Sequence, residues 1–277
     1  MVKRILLPLD SSAYSDAATE YAIQLAKRAK AQVDGMVILD IPGIEKSIGP
    51  VAMGALYWAD KLEKKKAEEA HEHVNALLAK FKKRCKDEGV TGNEAEYQGS
   101  PSELIVEQSI YYDIVVMGLR TYYKFGSEDE PGDTLDKVLG NTITPVLAVP
   151  DNYKSLEGAN VLISFDGSLP AARALQHFAY FASNVNFNIK IINSSDDKSA
   201  GDAILQHAKL YLKAYIGKDV ETIWTPGKII NVVNEEYLDW ADLFVVGAHS
   251  KSGFLDFIVG SLTKDLIEYG KKIVFIG

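Results

Sequence analysis

The run Ile5-Leu6-Leu7-Pro8-Leu9-Asp10-Ser11-Ser12, apolar until it ends in an aspartate and small residues, returns as Val161-Leu162-Ile163-Ser164-Phe165-Asp166-Gly167-Ser168. Two further blocks repeat in the same order. Asp113-Ile114-Val115-Val116-Met117-Gly118 is answered by Asp242-Leu243-Phe244-Val245-Val246-Gly247, and the stretch from Gly132-Asp133-Thr134-Leu135 to Val149 by Gly260-Ser261-Leu262-Thr263 to Ile276. A repeat of this kind makes one supersecondary pattern serve twice. The 277 residues therefore divide into two domains of ordinary size, 1–150 and 151–277, joined by the polar stretch from Asp151 to Gly158.

Between the blocks the apolar period alternates. Ala17, Ala18, Tyr21, Ala22, Leu25 and Ala26 follow helical spacing, and 33–39 reads as a strand. Residues 61–88 read as a long polar-faced helix stopped by Gly89, 94–98 as a short strand, and Ser100-Pro101 as the opening of another helix. The second half repeats this with helices expected over 170–183, 201–216 and 227–237 and strands over 189–192 and 220–224. Each half is thus β-α-β-α-β-α-β-α-β. The runs 114–117 and 243–246 are apolar on both faces, as in a parallel sheet between helix layers. The first half carries about 27 extra residues between its first and fourth strands, most of them in an apolar loop over 41–60 with Val51, Met53, Leu56, Tyr57 and Trp58. A loop of that length and composition is expected to be a lid or contact surface.

Charge and composition exclude several function classes. The net charge of -8 divides into -5 and -3 at residue 150, so neither half offers the basic field that nucleic acid needs. The lysines of 61–66 and 80–86 are interleaved with Glu63, Glu68, Glu69 and Glu72, which reads as a solvated helix face. No apolar run approaches the roughly 18 residues of a membrane span, and Met1-Val2-Lys3-Arg4 leads straight into a strand pattern, so a soluble, cytoplasmic chain is expected. The single Cys85 has no partner for a disulfide or metal set; its cationic neighbours could lower a thiol pKa, but it is read as an incidental helix-surface thiol. His71 and His73, two apart on a helix, point to different faces and are read as surface residues, whereas His177 and His207 fall in patterns where partial burial is expected. There is no Walker or dinucleotide fingerprint and no nucleophile–base pair, so no enzyme beyond a weak ATPase is expected.

In an open parallel sheet the ligand crevice lies at the carboxyl ends of the strands where the winding reverses. In the second half those turns are Asp166-Gly167-Ser168 and Gly247-Ala248-His249-Ser250. The latter begins a spacing: Gly247, two residues, Ser250, nine residues, then Gly260-Ser261 at a helix start. Glycine allows close backbone approach, and a helix N-terminus presents N–H groups and a positive dipole end to phosphate. Ser261 can cap the helix or donate to a phosphate oxygen, Asp166 can accept from a ribose hydroxyl or adenine amino group, and His249 can face the ligand. The same residues are also ordinary turn and cap chemistry, so a purely structural reading stays open beside the binding one. If the fourth strand returns beside the first, Val146–Val149 and Ile273–Ile276 would be uncharged apolar edges, which invites antiparallel pairing of one with the other.

The residues now in hand resemble the universal stress protein family, whose ATP-binding members carry G-x2-G-x9-G-[S/T] after the fourth strand and an Asp closing the first. The resemblance spans nearly the whole chain in two copies. It implies an α/β fold of two tandem five-stranded parallel open sheets with helices on both faces, order 3-2-1-4-5, and pairing through the fifth strands, inside the chain and in a homodimer. It also implies ATP, with or without Mg, as ligand. Asp166 and Gly167 would lie at the adenosine, backbone near Asn193 or Ser194 at the adenine, Gly247 with His249 and Ser250 at ribose and phosphate, and Gly260, Ser261 and Leu262 at the phosphates. The sequence departs at Ser250, where the family has its second Gly, and a φ > 0 there would lower ATP affinity. The N-terminal copy departs further: Gly118, Thr121 and then Gly132-Asp133, one residue too late and with a carboxylate for the hydroxyl. Asp133 would satisfy its own helix end, and Glu128, Asp129 and Glu130 in the same loop would repel a triphosphate. The implied function is a cytoplasmic stress-response protein that binds ATP in its C-terminal domain as a regulatory or sensing ligand, with hydrolysis slow or absent. The alternative is a nucleotide-independent interaction or small-ligand-binding protein of the same fold.

Overall fold

The computed structural model describes residues 2–40, 43, 56–123, 132–183, 185–248 and 260–277. The first half contains β1 (Arg4–Leu9), α1 (Ala13–Ala29), β2 (Gln32–Leu39), α2 (Leu56–Glu88), β3 (Gly92–Gln98), α3 (Pro101–Ser109), β4 (Ile114–Gly118), α4 (Thr134–Asn141) and β5 (Val146–Val149). The second contains β6 (Asn160–Ser164), α5 (Leu169–Ala182), β7 (Asn188–Ser194), α6 (Lys198–Ile216), β8 (Glu221–Thr225), α7 (Ile229–Val232), β9 (Leu243–Val246), α8 (Ser261–Tyr269) and β10 (Ile273–Ile276). The strands form one sheet in the order β3-β2-β1-β4-β5-β10-β9-β6-β7-β8. Each half is parallel with the order 3-2-1-4-5. The halves meet where β10 lies antiparallel to β5, Val274 opposite Ala148 and Phe275 opposite Leu147. All eight residues of these two strands are buried, because two uncharged apolar edges left open would be templates for aggregation.

Local chemistry repeats with the fold. Ser12 caps α1 by accepting from Ser15 N, and Ser168 caps α5 by accepting from Ala171 N. Asp113, before β4, accepts the backbone N–H groups of Lys3 and Arg4, and Asp242, before β9, accepts that of Asn160. Each aspartate ties the fourth strand of its half to the start of the first. Helices cover both faces. On one face the core runs without a break across the seam, where Phe275 packs 5.6 Å from Phe178 and 5.4 Å from Phe181. The two copies differ by one residue between Gly99 and Asp113 and between Gly227 and Asp242. The longer copy is the one in which α7 widens into a π-helical turn over Val233–Tyr237, whose i→i+5 bonding takes up one more residue per turn.

Two expectations need correction, and one segment holds contacts the sequence did not suggest. Of the loop expected over 41–60, residues 41, 42 and 44–55 lie outside the described residues, while 56–60 belong to the start of α2. Cys85 is not a surface thiol: it is buried under β3, where a Cβ on Gly92 would come within 2.7 Å of its sulfur. Burial, with Glu94 nearby, pushes the thiol up to about 11, against the cationic pull of Arg84. The polar link between the halves is docked as well. The Tyr153 ring lies 4.8 Å from that of Tyr21, Lys154 N donates to the Tyr21 hydroxyl at 2.9 Å, Leu156 is buried, and Glu157 pairs with Arg28. Among the described residues no helix is long and apolar enough to cross a membrane.

Candidate functional site

At the carboxyl end of β6 the chain turns through Asp166, which is exposed and accepts only from Ser168 N at 2.9 Å among the described residues. Gly167 follows at φ +78, a left-handed conformation that favours glycine. At the end of β9, a Cβ on Gly247 would lie 2.6 Å from the carbonyl carbon of Pro170 and 2.7 Å from Ala171 N. The missing side chain is thus what lets β9 approach the first turn of α5. The third wall is the start of α8. Gly260 is its N-cap residue, no side chain among the described residues caps its first turn, and Ser261, the first helical residue, is exposed. The hydroxyl of Thr263 donates to Gly247 O at 3.3 Å and holds this helix start over the β9 turn.

These walls enclose about 150 Å³. Asp166, Gly247, Gly260, Ser261 and Leu262, expected from the sequence, line the cavity, and Pro170 and Ile229 join them unforeseen. Leu262 contributes backbone at the helix start, its own side chain being buried. Gly260 sits at φ -54, which any residue adopts. Gly167 and Ser194 are not in the lining, and the Ser194 hydroxyl donates to Gly227 O. His249 and Ser250 lie outside the described residues.

The corresponding turns of the first half are closed on themselves. Asp10 is 4% exposed, and its two oxygens accept from Ser12 N at 2.8 Å, from the Ser12 hydroxyl, and from Tyr122 N at 2.7 Å. Burial still raises its pKa above the ordinary carboxylate value, because the hydrogen bonds only partly offset the desolvation. Tyr122 stacks on Tyr14, with ring centroids 6.4 Å apart, and Tyr123 is buried beside them. Thr121 and Gly132 form an antiparallel bridge that brings the two ends of the loop together. Asp133 stands at the N-cap position but makes no capping bond; contrary to expectation its carboxylate pairs with Lys137 at 2.9 Å. Glu128, Asp129 and Glu130 lie outside the described residues. The tyrosines at 14, 122 and 123 were not singled out by sequence reasoning, although Tyr122-Tyr123 directly follows the departure at Thr121.

The sequence model of the universal stress protein family matches residues 1–150. The chain belongs to that family. Among curated relatives, universal stress protein Slr1230 of Synechocystis is 21% identical over 288 residues, covering 96% of this chain and 96% of its own. Universal stress protein MJ0531 of Methanocaldococcus jannaschii is 31% identical over 152 residues, 54% of this chain and 82% of its own. A universal stress protein of Archaeoglobus fulgidus, solved by crystallography, shares the fold over 99% of this chain and 97% of its own, with a TM-score of 0.69 at 20% identity. In this universal stress protein the family model lies on the half whose Asp10 is buried and internally bonded.

Proposed function

We propose that residues 1–150 and 151–277 are two universal-stress-protein-like domains and that the second binds ATP, alone or as its magnesium complex, as a regulatory or sensing ligand of a cytoplasmic stress response. The observation that carries this reading is the start of α8, a helix N-terminus with no side-chain cap among the described residues, facing the exposed Asp166 across a 150 Å³ cavity. Free N–H groups and the positive dipole end suit phosphate oxygens, and the Ser261 hydroxyl adds a donor. Asp166 retains acceptor capacity for a ribose hydroxyl. The cavity is smaller than a whole-nucleotide pocket, so it takes the phosphate and ribose end, with the base lying outward in the direction of Ser194. Asp166, the one carboxylate among the described lining residues, is assigned to the ribose, so hydrolysis is expected to be slow or absent.

In the first half, Tyr122 N takes the Asp10 oxygen that a ribose would need, and Asp133 sets a carboxylate where phosphate would sit. One ATP per chain is the expected stoichiometry. Calorimetric titration should return one site, and Ser261→Asp, which copies Asp133, should weaken binding at least tenfold. Two equivalent sites, or an unchanged affinity in that variant, would refute the reading. A nucleotide-independent interaction protein is the second reading, favoured by Gly247, whose missing Cβ is already accounted for by Pro170. It predicts no heat with ATP at all. Pairing of the halves through β5 and β10 is proposed to persist in solution, with a homodimer compatible with it.

A further inference from the structure

The seam between β5 and β10 has two flanks related by the duplication, and they differ. Tyr21 of α1 and His177 of α5 hold the same place in the two copies, 156 residues apart, as are Asp10 and Asp166 and the helix caps Ser12 and Ser168. Over Tyr21 runs the segment that joins the halves. Its Tyr153 ring rests on the Tyr21 ring, its Lys154 N–H reaches the Tyr21 hydroxyl, and Asp242 and Lys272 stand close by. Tyr21 is left 1% exposed.

On the other flank Asp113 and Pro145, which repeat Asp242 and Lys272, join His177 in lining an open cavity of about 350 Å³. Phe181 and Phe275 contribute to its wall. Its rim is apolar and exposed, with Ile110 at 54%, Ile143 at 71% and Tyr180 at 55%. Nδ1 of His177 is buried by the chain itself and has no hydrogen-bond partner among the described residues, whereas in the other copy the Tyr21 hydroxyl accepts a backbone N–H. Burial and the neighbouring Arg173 lower the histidine pKa, which favours the neutral ring. The exposed apolar rim around an open cavity is surface that gains from cover.

We propose that this flank is a docking groove for a peptide segment of a partner protein, seated beside His177 as residues 151–156 are seated over Tyr21, with an aromatic side chain in the cavity. The chain itself supplies the precedent, since the equivalent flank already holds a segment whose aromatic residue, Tyr153, rests on the Tyr21 ring. The recognition is by one anchoring aromatic side chain and the apolar rim around it. It does not depend on the nucleotide reading, because the groove lies at the opposite strand ends of the first half and behind α5 of the second.

Fluorescence anisotropy of a labelled peptide with the sequence of residues 151–156, titrated with the full chain, tests the proposal. Saturable binding is expected, at least tenfold weaker when the peptide tyrosine is replaced by alanine. Ile143→Glu, on an exposed residue that leaves the fold intact, should abolish binding. The proposal fails if no saturable binding occurs up to millimolar concentration or if binding is indifferent to Ile143→Glu. It also fails if the groove instead takes indole with no response to the peptide, or is covered by self-association of the chain that the peptide does not displace.

Discussion

Asp10 and Asp166 close equivalent strands, precede equivalent serine caps and yet stand in opposite states. Asp10 is buried and bonded on both oxygens; Asp166 is exposed and, among the described residues, has a single bond to the turn beside it. The strands do not cause the difference, since both halves have the order 3-2-1-4-5. In the first half the turn across the crevice folds back, donates Tyr122 N to the carboxylate and lays Tyr122 over Tyr14. A strand-end aspartate in this fold can therefore be taken up as a structural acceptor by the turn opposite it. Burial and three bonds then leave Asp10 little capacity for a ligand.

The comparison holds only if the halves are parts of one cooperative body, and that assumption carries the largest expected effect. Phe275 lies in the seam, fully buried against Phe178 and Phe181. Phe275→Ala should destabilise the chain by about 3–5 kcal/mol, as truncation of a buried aromatic does. Urea unfolding followed by circular dichroism and by tryptophan fluorescence should shift as one coincident transition. Two separated transitions would show that the halves unfold alone, and the first half could then be treated as an independent module.

Next in size is the pair of aspartates themselves. Asp10→Ala leaves the N–H groups of Tyr122 and Ser12 without their acceptor in a buried place, a loss of about 2–3 kcal/mol, whereas Asp166→Ala should change stability by less than about 0.5 kcal/mol. Nucleotide affinity should respond in reverse, falling with Asp166→Ala and not with Asp10→Ala. The pH dependence adds a signature. Because the folded chain raises the Asp10 pKa above the ordinary 3.8, the folded state holds the proton more tightly than the unfolded one. The contribution of Asp10 is thus full below that value and declines as pH rises through the folded pKa. In Asp10→Asn this decline should vanish from the difference between variant and parent stability curves. A stability loss from Asp166→Ala equal to that from Asp10→Ala would dissolve the distinction.

What was legible in advance follows from the range of the forces involved. The fifth strands could be read to the residue because Val146–Val149 and Ile273–Ile276 are apolar, uncharged and punctuated, and their pairing followed from strand order. Asp166, Gly247 and Gly260-Ser261 could be read as one crevice because turns at strand ends are brought together by topology alone. Cys85 was misjudged because its neighbours in sequence are cations, while its neighbours in space are the sheet and Gly92. The closure of the first crevice was invisible for a similar reason: Tyr14 and Tyr122 are more than 100 residues apart, and nothing in a local pattern says that one ring covers the other. The docking of Tyr153 and Lys154 on Tyr21 was hidden by the polar look of 151–158, whose hold on α1 comes through one ring face and a main-chain N–H.

The smallest effects are expected at Tyr21 and His177, where the same substitution should act with different sign. Tyr21→Phe removes the acceptor of Lys154 N but keeps the ring under Tyr153, so the loss is about 1 kcal/mol, that of one hydrogen bond with its donor stranded in a partly buried place. His177→Phe removes a buried nitrogen that has no partner among the described residues and places an apolar ring beside Phe181, so it should leave stability unchanged or raise it by up to about 1 kcal/mol at neutral pH. Acid should widen the gap. Burial and Arg173 lower the histidine pKa below its ordinary 6.5, so the unfolded chain takes up the proton first as pH falls. The parent then loses stability from about 6.5 down through the lowered folded value, and the phenylalanine variant does not share that loss. Urea midpoints of parent, Tyr21→Phe and His177→Phe at neutral pH and near pH 5 measure all three quantities. A His177→Phe variant as destabilised as Tyr21→Phe would mean that the imidazole is fully bonded in solution, and the two flanks of the seam would then be equivalent after all.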